Sequence, residues 1–122
     1  MRRIALICSA LSLVALLFAA CGTATANSKC EAGATCACSS AGTCTEKCTG
    51  EDCSFLCSNT GTCNFECDDG GCSAVCNGSG TCNLSCPGGD CTMDCYGSGT
   101  CNLTDCSDCT LNCVSDTAQC NG

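Results

Sequence analysis

Histidine and tryptophan are missing from this chain of 122 residues, proline occurs once, and aromatic residues make up 3% of the sequence. Because histidine is the side chain most often used for acid–base catalysis near neutral pH, its absence argues against an enzyme. Lysine and arginine number 4 against 12 acidic residues, and the formal net charge is −8. A basic face that follows nucleic-acid phosphates is therefore excluded. We expect no catalytic residue, no cofactor and no nucleic-acid partner.

Cysteine, by contrast, is abundant, with 22 residues in the chain. The spacing C-x-C occurs once and C-x2-C once, whereas C-x3-C occurs seven times. Zinc sites favour paired C-x2-C motifs, and metallothioneins depend on dense C-x-C clusters, so the spacing favours structural disulfides. Binding of soft metals by thiolates stays open as an alternative. Cys106 and Cys109 have the spacing of a redox motif, but the βαβ context of such motifs is missing around them.

The first 20 residues have the pattern of a signal peptide. Arg2 and Arg3 precede an apolar run over residues 4–20, for which we expect a helix. Two cleavage sites compete after this run. Cys21 ends a sequence that resembles the bacterial lipobox, which predicts a lipid on Cys21 and a location on the bacterial cell envelope, at the outer membrane or cell surface. The alternative is cleavage after Ala26, which ends an A-x-A site and predicts a secreted protein.

The number of remaining cysteines supports disulfide formation. Cys8 is removed with the signal peptide, and Cys21 either carries the lipid or is removed as well, so 20 of the 22 cysteines remain. Exported proteins enter an oxidising compartment in which disulfides persist. We therefore expect disulfides, of undetermined pairing, among Cys30, Cys36, Cys38, Cys44, Cys48, Cys53, Cys57, Cys63, Cys67, Cys72, Cys76, Cys82, Cys86, Cys91, Cys95, Cys101, Cys106, Cys109, Cys113 and Cys120.

From residue 39 the sequence repeats itself about every 19 residues, in units 39–57, 58–76, 77–95 and 96–113. Each unit carries Gly-Thr-Cys near its start and divides into two halves, most of which contain C-x-Φ-x-C, where Φ is apolar. Fixed-period repetition of this kind indicates a solenoid. The alternation of cysteine and apolar residues with Thr, Asn and Ser is typical of a short strand with one buried face.

These observations predict an all-β fold, a small disulfide-stapled β-solenoid of about four coils with two strands each. We assign residues 1–20 to the signal peptide, 21–38 to a lipidated tether and N-terminal cap, 39–113 to the solenoid repeats and 114–122 to a C-terminal cap or tail. The predicted apolar filling is sparse, and Glu46 interrupts it in the first unit. Its members are Phe55, Phe65, Ala74, Leu84, Met93, Leu103 and Leu111.

The bonding partners of the cysteines are left open by the spacing. Two cysteines four apart on one strand lie about 13 Å apart, too far for a bond between them. One register pairs Cys63 with Cys76 and Cys67 with Cys72. A shifted register pairs Cys57 with Cys63 and Cys53 with Cys67.

Two surfaces of the predicted solenoid could carry function. Acidic residues recur between the two halves of each unit and are weak candidates for calcium ligands: Asp52, Asp68, Asp69, Asp90 and Asp108. A solvated charged turn is the favoured explanation of these residues. On the first strand of each unit, a threonine and an asparagine or threonine flank the first cysteine. The asparagines could also stabilise the stack by amide hydrogen bonds.

Two resemblances follow from these motifs. The Thr-Cys-Thr pattern at residues 43–45, with its Thr-Cys-Asn counterparts at 62–64, 81–83 and 100–102, resembles the ice-binding face of beetle antifreeze solenoids. The lipobox followed by Gly-Thr-Cys-x3-Cys repeats resembles the cysteine-rich repeat lipoproteins of bacteria, which implies an envelope location and no known activity. We expect a structural or interaction lipoprotein held to the membrane by its lipid, with an undefined protein or envelope partner. Metal-ion binding and ice binding are the alternatives.

Overall fold

The computed structural model describes residues 26–122, in which the chain forms eleven short β-strands. The predicted signal peptide and Cys21 lie outside the described residues. Within the described part, no helix is long and apolar enough to cross a membrane. The strands are β1 (Ala26–Cys30), β2 (Thr35–Cys38), β3 (Thr43–Cys48), β4 (Ser54–Cys57), β5 (Thr62–Glu66), β6 (Ser73–Cys76), β7 (Thr81–Ser85), β8 (Thr92–Cys95), β9 (Thr100–Thr104), β10 (Thr110–Cys113) and β11 (Gln119–Asn121).

The strands build two parallel sheets that face each other. The first sheet has six strands in the order β1-β3-β5-β7-β9-β11, and the second has five in the order β10-β8-β6-β4-β2. Each strand pairs with its equivalent one coil away, so that Cys63 lies beside Cys82, and Cys82 beside Cys101. The sequence repeat is therefore the coil of a β-solenoid, as predicted.

The solenoid has five coils rather than about four. Strands β1 and β2, in the segment assigned to tether and cap, form a coil in full register with the next one. Strand β11, in the segment assigned to the C-terminal tail, continues the first sheet beyond β9. These end strands lie outside the four repeat units because residues 26–38 lack Gly-Thr-Cys and Gln119 stands before Cys120 in β11. The altered cysteine spacing of unit 96–113 is confined to the turn after β9, and β10 stays in register with β8.

Ten disulfides connect all twenty cysteines of residues 26–122, and each cysteine bonds the next one along the chain. Every bond spans one turn between the sheets, with Cα atoms 5.7 to 6.6 Å apart. One column of bonds follows the edge formed by the turns within coils: Cys30–Cys36, Cys48–Cys53, Cys67–Cys72, Cys86–Cys91 and Cys106–Cys109. The other column follows the edge formed by the turns between coils: Cys38–Cys44, Cys57–Cys63, Cys76–Cys82, Cys95–Cys101 and Cys113–Cys120.

Each of the two registers considered from the sequence contains one of these bonds. Cys67 bonds Cys72 and Cys57 bonds Cys63, whereas the pairs Cys63 with Cys76 and Cys53 with Cys67 are wrong. Both registers placed the two bonds of a coil on the same pair of strands. In the structure the bonds alternate along the chain, because each cysteine at a strand end faces the one directly across the nearest turn.

Between the two disulfide columns lies a single row of central side chains from each sheet. The first sheet contributes Phe65 and Leu84, and the second contributes Phe55, Ala74 and Met93, all of them buried. The rings of Phe55 and Phe65 stack with their centroids 4.6 Å apart. Leu103 and Leu111 of the last full coil are only partly buried. The predicted apolar filling is thus correct, and it thins out toward the C-terminal end.

Glu46 occupies one of these central positions, where it is 6% exposed and lies in register with Phe65. Its Oε2 has no hydrogen-bond partner, and its Oε1 lies 4.0 Å from the Sγ of Cys44, a disulfide sulfur without a hydrogen to donate. Asn59 is also polar and buried but, unlike Glu46, it is hydrogen-bonded. Its amide group donates to the Ser40 carbonyl and accepts from the Gly61 N–H. Glu46 is therefore a destabilising element of the interior.

The turns between coils, at residues 39–42, 58–61, 77–80 and 96–99, form what we name the glycine edge. Here a Cβ atom on Gly61, Gly80 or Gly99 would overlap the carbonyl oxygen of the glycine one coil earlier. The same carbonyls accept hydrogen bonds of 2.8 to 3.0 Å from the threonines that follow. The glycines of the last three Gly-Thr-Cys motifs, Gly61, Gly80 and Gly99, are therefore required by close backbone contact between coils.

We predict that Gly80→Ala lowers the free energy of unfolding by about 3 kcal/mol, since a methyl group cannot be placed without separating two coils. Ser79, the exposed residue directly before Gly80, provides the control. Ser79→Ala should change the free energy of unfolding by less than about 0.5 kcal/mol. Guanidinium unfolding of the disulfide-intact protein, followed by circular dichroism, measures both. Equal stability of the two variants would contradict the close contact.

We predict that Glu46→Leu raises the free energy of unfolding by about 1–3 kcal/mol, because an unpartnered carboxyl is exchanged for the leucine found at this position in later coils. Glu31→Leu, at an exposed turn, should bring no such gain. The same unfolding measurement applies. Destabilisation by Glu46→Leu would show that the carboxyl has a partner in solution.

Candidate functional site

The outer face of the first sheet carries two straight columns of polar side chains. Thr43, Thr62, Thr81 and Thr100 form the first column, which Gln119 extends. Asn64, Asn83, Asn102 and Asn121 form the second. Because the strands are parallel and in register, equivalent residues of neighbouring coils lie one strand spacing apart, about 4.8 Å.

The asparagines are hydrogen-bonded to one another along the whole column. The amide of Asn83 donates to Asn64 at 2.8 Å, that of Asn102 to Asn83 at 2.7 Å, and that of Asn121 to Asn102 at 2.8 Å. The expected asparagine ladder is therefore present, with amide hydrogen bonds between neighbouring coils. Since these amide groups are used within the column, the threonines are the groups with more freedom to contact an external surface.

The outer face of the second sheet was not singled out from the sequence. Its first column consists of Thr35, Ser54, Ser73, Thr92 and Thr110, and its second of Ala37, Leu56, Val75, Asp94 and Asn112. Leu56 and Val75 are half-buried, so this face is more apolar in the first three coils than beyond them. This column could have been found in the sequence as the residue directly before the last cysteine of each unit.

The turns within coils, at residues 31–34, 49–52, 68–71, 87–90 and 105–108, form what we name the acidic edge. Three of the proposed calcium ligands, Asp52, Asp69 and Asp90, line with Glu51 an open groove of about 200 Å³ over Gly70, Gly71 and Gly88. The Asp52 carboxylate lies directly over Gly71, where a Cβ atom would be 2.7 Å from Oδ1.

The remaining two candidate ligands lie elsewhere. Asp68 pairs with Lys47 at 2.6 Å, and Lys47 also contacts Glu66 at 3.2 Å. The hydrogen bond to Asp68 and then the one to Glu66 raise the pKa of Lys47 above its ordinary value. Asp108 lies beside a second groove at the C-terminal end of the solenoid. The structure thus brings three of the five aspartates together and separates the other two.

Backbone conformation accounts for aspartate at several of these positions. Asp52, Asp90 and Asp108 have φ of 60°, 56° and 57°, and Gly71 occupies the equivalent position at 69°. This left-handed region disfavours most side chains but is tolerated by glycine, asparagine and aspartate. All five proposed ligands are exposed to solvent. A solvated turn therefore explains the acidic edge without a bound ion.

The cysteine sulfurs of the described residues are in disulfides and so provide no thiolate for a soft metal in this state. Three of these sulfurs nevertheless approach within 4.8 Å of one another at three points along the acidic edge and at one point along the glycine edge. Binding of a metal would first require reduction.

Comparison with protein-family models, with curated proteins and with solved structures gave no match. Inferences about function therefore depend on the geometry of this chain itself, and the likenesses to cysteine-rich lipoproteins and to antifreeze solenoids stay resemblances of motif.

We predict that calcium has little effect on the stability of this protein, because the acidic edge presents exposed carboxylates in a wide groove. Addition of 5 mM CaCl₂, about a thousand times a sensor-like Kd of 5 μM, should shift the unfolding midpoint no more than 5 mM MgCl₂ does. A ligand bound a thousand times above its Kd would add about 4 kcal/mol, which is easily detected. A shift specific to calcium, and abolished in Asp52→Asn/Asp90→Asn, would contradict the prediction.

Proposed function

We propose that this protein is an exported structural or interaction module, a rigid cystine-filled rod displayed on the bacterial envelope by a lipid on Cys21, without catalytic activity. The observation that carries the proposal is the disulfide across every turn. Ten bonds that each close a loop of three to seven residues leave few conformations open to the unfolded chain. Such a rod resists unfolding as long as its disulfides stay oxidised.

The disulfides also support export. Cytosolic thiols are kept reduced, whereas disulfides persist in the periplasm and outside the cell. The apolar filling of the described residues is a single row per sheet, which is small for a domain of this size. Folding in a reducing compartment would therefore lack its main stabilising contribution.

The short distance between Cys21 and the solenoid fits a membrane-proximal scaffold. Only residues 22–25 separate Cys21 from β1, so a lipid on Cys21 would hold the first coil within about 18 Å of the anchor. The five coils then extend over about 25 Å, one strand spacing per coil. In this arrangement both outer faces and both edges are available to a partner.

The threonine column gives one specific reason to propose ice binding as a second candidate, since its four threonines lie in register from coil to coil on one outer face. The asparagine column beside it is already hydrogen-bonded internally, and the face spans few coils. Thermal hysteresis of the mature protein that is lost in Thr81→Tyr, but not in Ser73→Tyr on the other sheet, would support that function.

The experiment that tests the main proposal is intact-mass measurement of the full chain expressed in a Gram-negative bacterium, with and without reduction and alkylation. We expect a membrane-extracted species that begins at Cys21, carries acyl chains and gains twenty alkyl groups only after reduction. Cys21→Ser should lose the acyl chains and leave the membrane fraction. Cys8→Ser changes a cysteine within the signal peptide and should behave as the unaltered chain.

Two outcomes would overturn the proposal. A soluble mature chain that begins at Asn27 would show that the A-x-A site is used and that the protein is secreted. Free thiols with bound metal in the protein as isolated would make it a metal-sequestering protein instead of a cystine scaffold.

A further inference from the structure

The disulfide Cys106–Cys109 is more accessible than its equivalents along the acidic edge. Both of its cysteines are half-buried, whereas Cys67, Cys72, Cys86 and Cys91 are at most 1% exposed. The difference arises because β10 is the last strand of the second sheet, and β11 of the first sheet covers the last full coil only in part.

This accessible bond forms part of the wall of the groove at the C-terminal end. The groove has a volume of about 370 Å³ and is lined by the two cysteines, by Leu103 and Leu111, by Asp105 and Asp108, and by Gly122. Leu103 and Leu111, whose equivalents in earlier coils are buried, form an apolar surface here, and the two carboxylates lie beside it. An apolar segment with a positive charge has the complementary chemistry.

A backbone donor is directed at one sulfur of this disulfide. The N–H of Cys91 lies 3.1 Å from the Sγ of Cys109. A hydrogen-bond donor at a sulfur stabilises the thiolate that remains when the bond is opened, and a better leaving thiolate makes the disulfide easier to open. Cys109 is therefore suited to be the sulfur that leaves when Cys106 is attacked.

The next disulfide of the column is within reach of this pair. The Sγ atoms of Cys86, Cys106 and Cys109 all lie within 4.8 Å of one another, and the same holds for Cys67, Cys86 and Cys91 in the preceding coil. A thiolate formed at the C-terminal end thus has a disulfide sulfur close to it, and that disulfide has another beyond it.

We propose that Cys106–Cys109 is a thiol–disulfide exchange site that accepts two electrons from a dithiol on an apolar, positively charged polypeptide segment and passes them to Cys86–Cys91. The activity is stoichiometric and goes beyond the scaffold role, and it does not depend on the lipid anchor.

The first transfer opens Cys106–Cys109 through a mixed disulfide with the partner. A thiolate of the partner attacks Sγ of Cys106 and bonds to it, and the bond to Cys109 breaks with its electron pair left on Cys109. The partner's second thiolate then attacks the partner's own sulfur in the mixed disulfide and releases Cys106. The partner is oxidised to a disulfide, Cys106 and Cys109 are reduced, and the two protons of the partner's thiols pass through solvent to the two cysteines.

The second transfer restores the site. The thiolate of Cys109 attacks Sγ of Cys86, and Cys91 leaves as a thiolate. Cys106 then attacks Sγ of Cys109, which re-forms Cys106–Cys109 and leaves Cys86 and Cys91 reduced. The electron pair has moved one coil inward without an additional reactant.

The test is limited reduction of the folded, mature protein with dithiothreitol, followed by acid quenching, alkylation and mass-spectrometric location of the labelled cysteines. We expect Cys106 and Cys109, then Cys86 and Cys91, to be labelled at least about tenfold faster than Cys48 and Cys53. Uniform reduction of the column, or labelling of Cys106 and Cys109 without prior reductant, would overturn the proposal.

Paired variants distinguish transfer from simple shielding. In Cys106→Ser/Cys109→Ser the reduction of Cys86–Cys91 should slow several-fold, because its donor is gone. Cys113→Ser/Cys120→Ser removes the terminal disulfide of the glycine edge and should leave that rate unchanged. Faster reduction of Cys86–Cys91 in the first variant would show that Cys106–Cys109 only shields it. If the first variant does not fold, the acid-quenched intermediates of the unaltered protein decide instead. A disulfide between Cys86 and Cys109 in the partly reduced protein supports transfer, and its absence overturns it.

Partner chemistry is tested with two dithiol peptides that have the same apolar sequence but carry flanking lysines or flanking glutamates. The lysine peptide should reduce Cys106–Cys109 several-fold faster at low salt, and the difference should shrink at 1 M salt, where charges are screened beyond about 3 Å. Equal rates for the two peptides at low salt would overturn recognition by the groove.

Discussion

The whole structure depends on one constraint, a disulfide across every turn. A coil of this solenoid contributes two central side chains to the interior, too few to hold two four-residue or five-residue strands together in water. Each disulfide closes a very short loop and so contributes about 2 kcal/mol by restricting the unfolded chain, less than a long-loop bond would. The number of bonds and their regular placement at both ends of every coil compensate for the small individual effect.

Because of this constraint, some positions of the sequence require one residue type and others tolerate substitution. Cysteines and glycines hold the edges, where coils approach so closely that Gly61 and Gly80 cannot carry a side chain. The interior tolerates substitutions as unlike as Glu46 and Leu84 at equivalent positions, since the disulfides on either side hold the sheets in place. The outer faces carry no structural requirement beyond β-propensity, apart from the asparagine ladder, and are therefore free to vary in sequence.

Sequence alone predicted the solenoid, its period and the strands, because a 19-residue repeat of alternating cysteine and apolar residues allows few other folds. It missed the first coil, whose Cys36 stands where later coils have Phe55 or Ala74. The disulfide pairing could not be predicted from the sequence either. The spacing of cysteines on a strand does not tell whether Cys63 bonds across the preceding or the following turn. The acidic residues could be placed on one edge, but the positive φ of Asp52 and Asp90, which accounts for them, is a property of the folded backbone. The importance of Cys106 and Cys109 likewise depends on how the last coil is covered.

The measurement that tests the central claim most directly is cleavage before aspartate under denaturing, non-reducing conditions at acidic pH, where disulfides do not exchange. Cuts at Asp94 and Asp105 delimit residues 94–104, which contain Cys95 and Cys101. If each cysteine bonds the next across one turn, this fragment is released by itself, two hydrogen masses lighter than its reduced form. If Cys95 instead bonds Cys82 across the coil, residues 94–104 stay attached to the fragment that contains Cys82 until a reductant is added, and the disulfide across every turn is wrong.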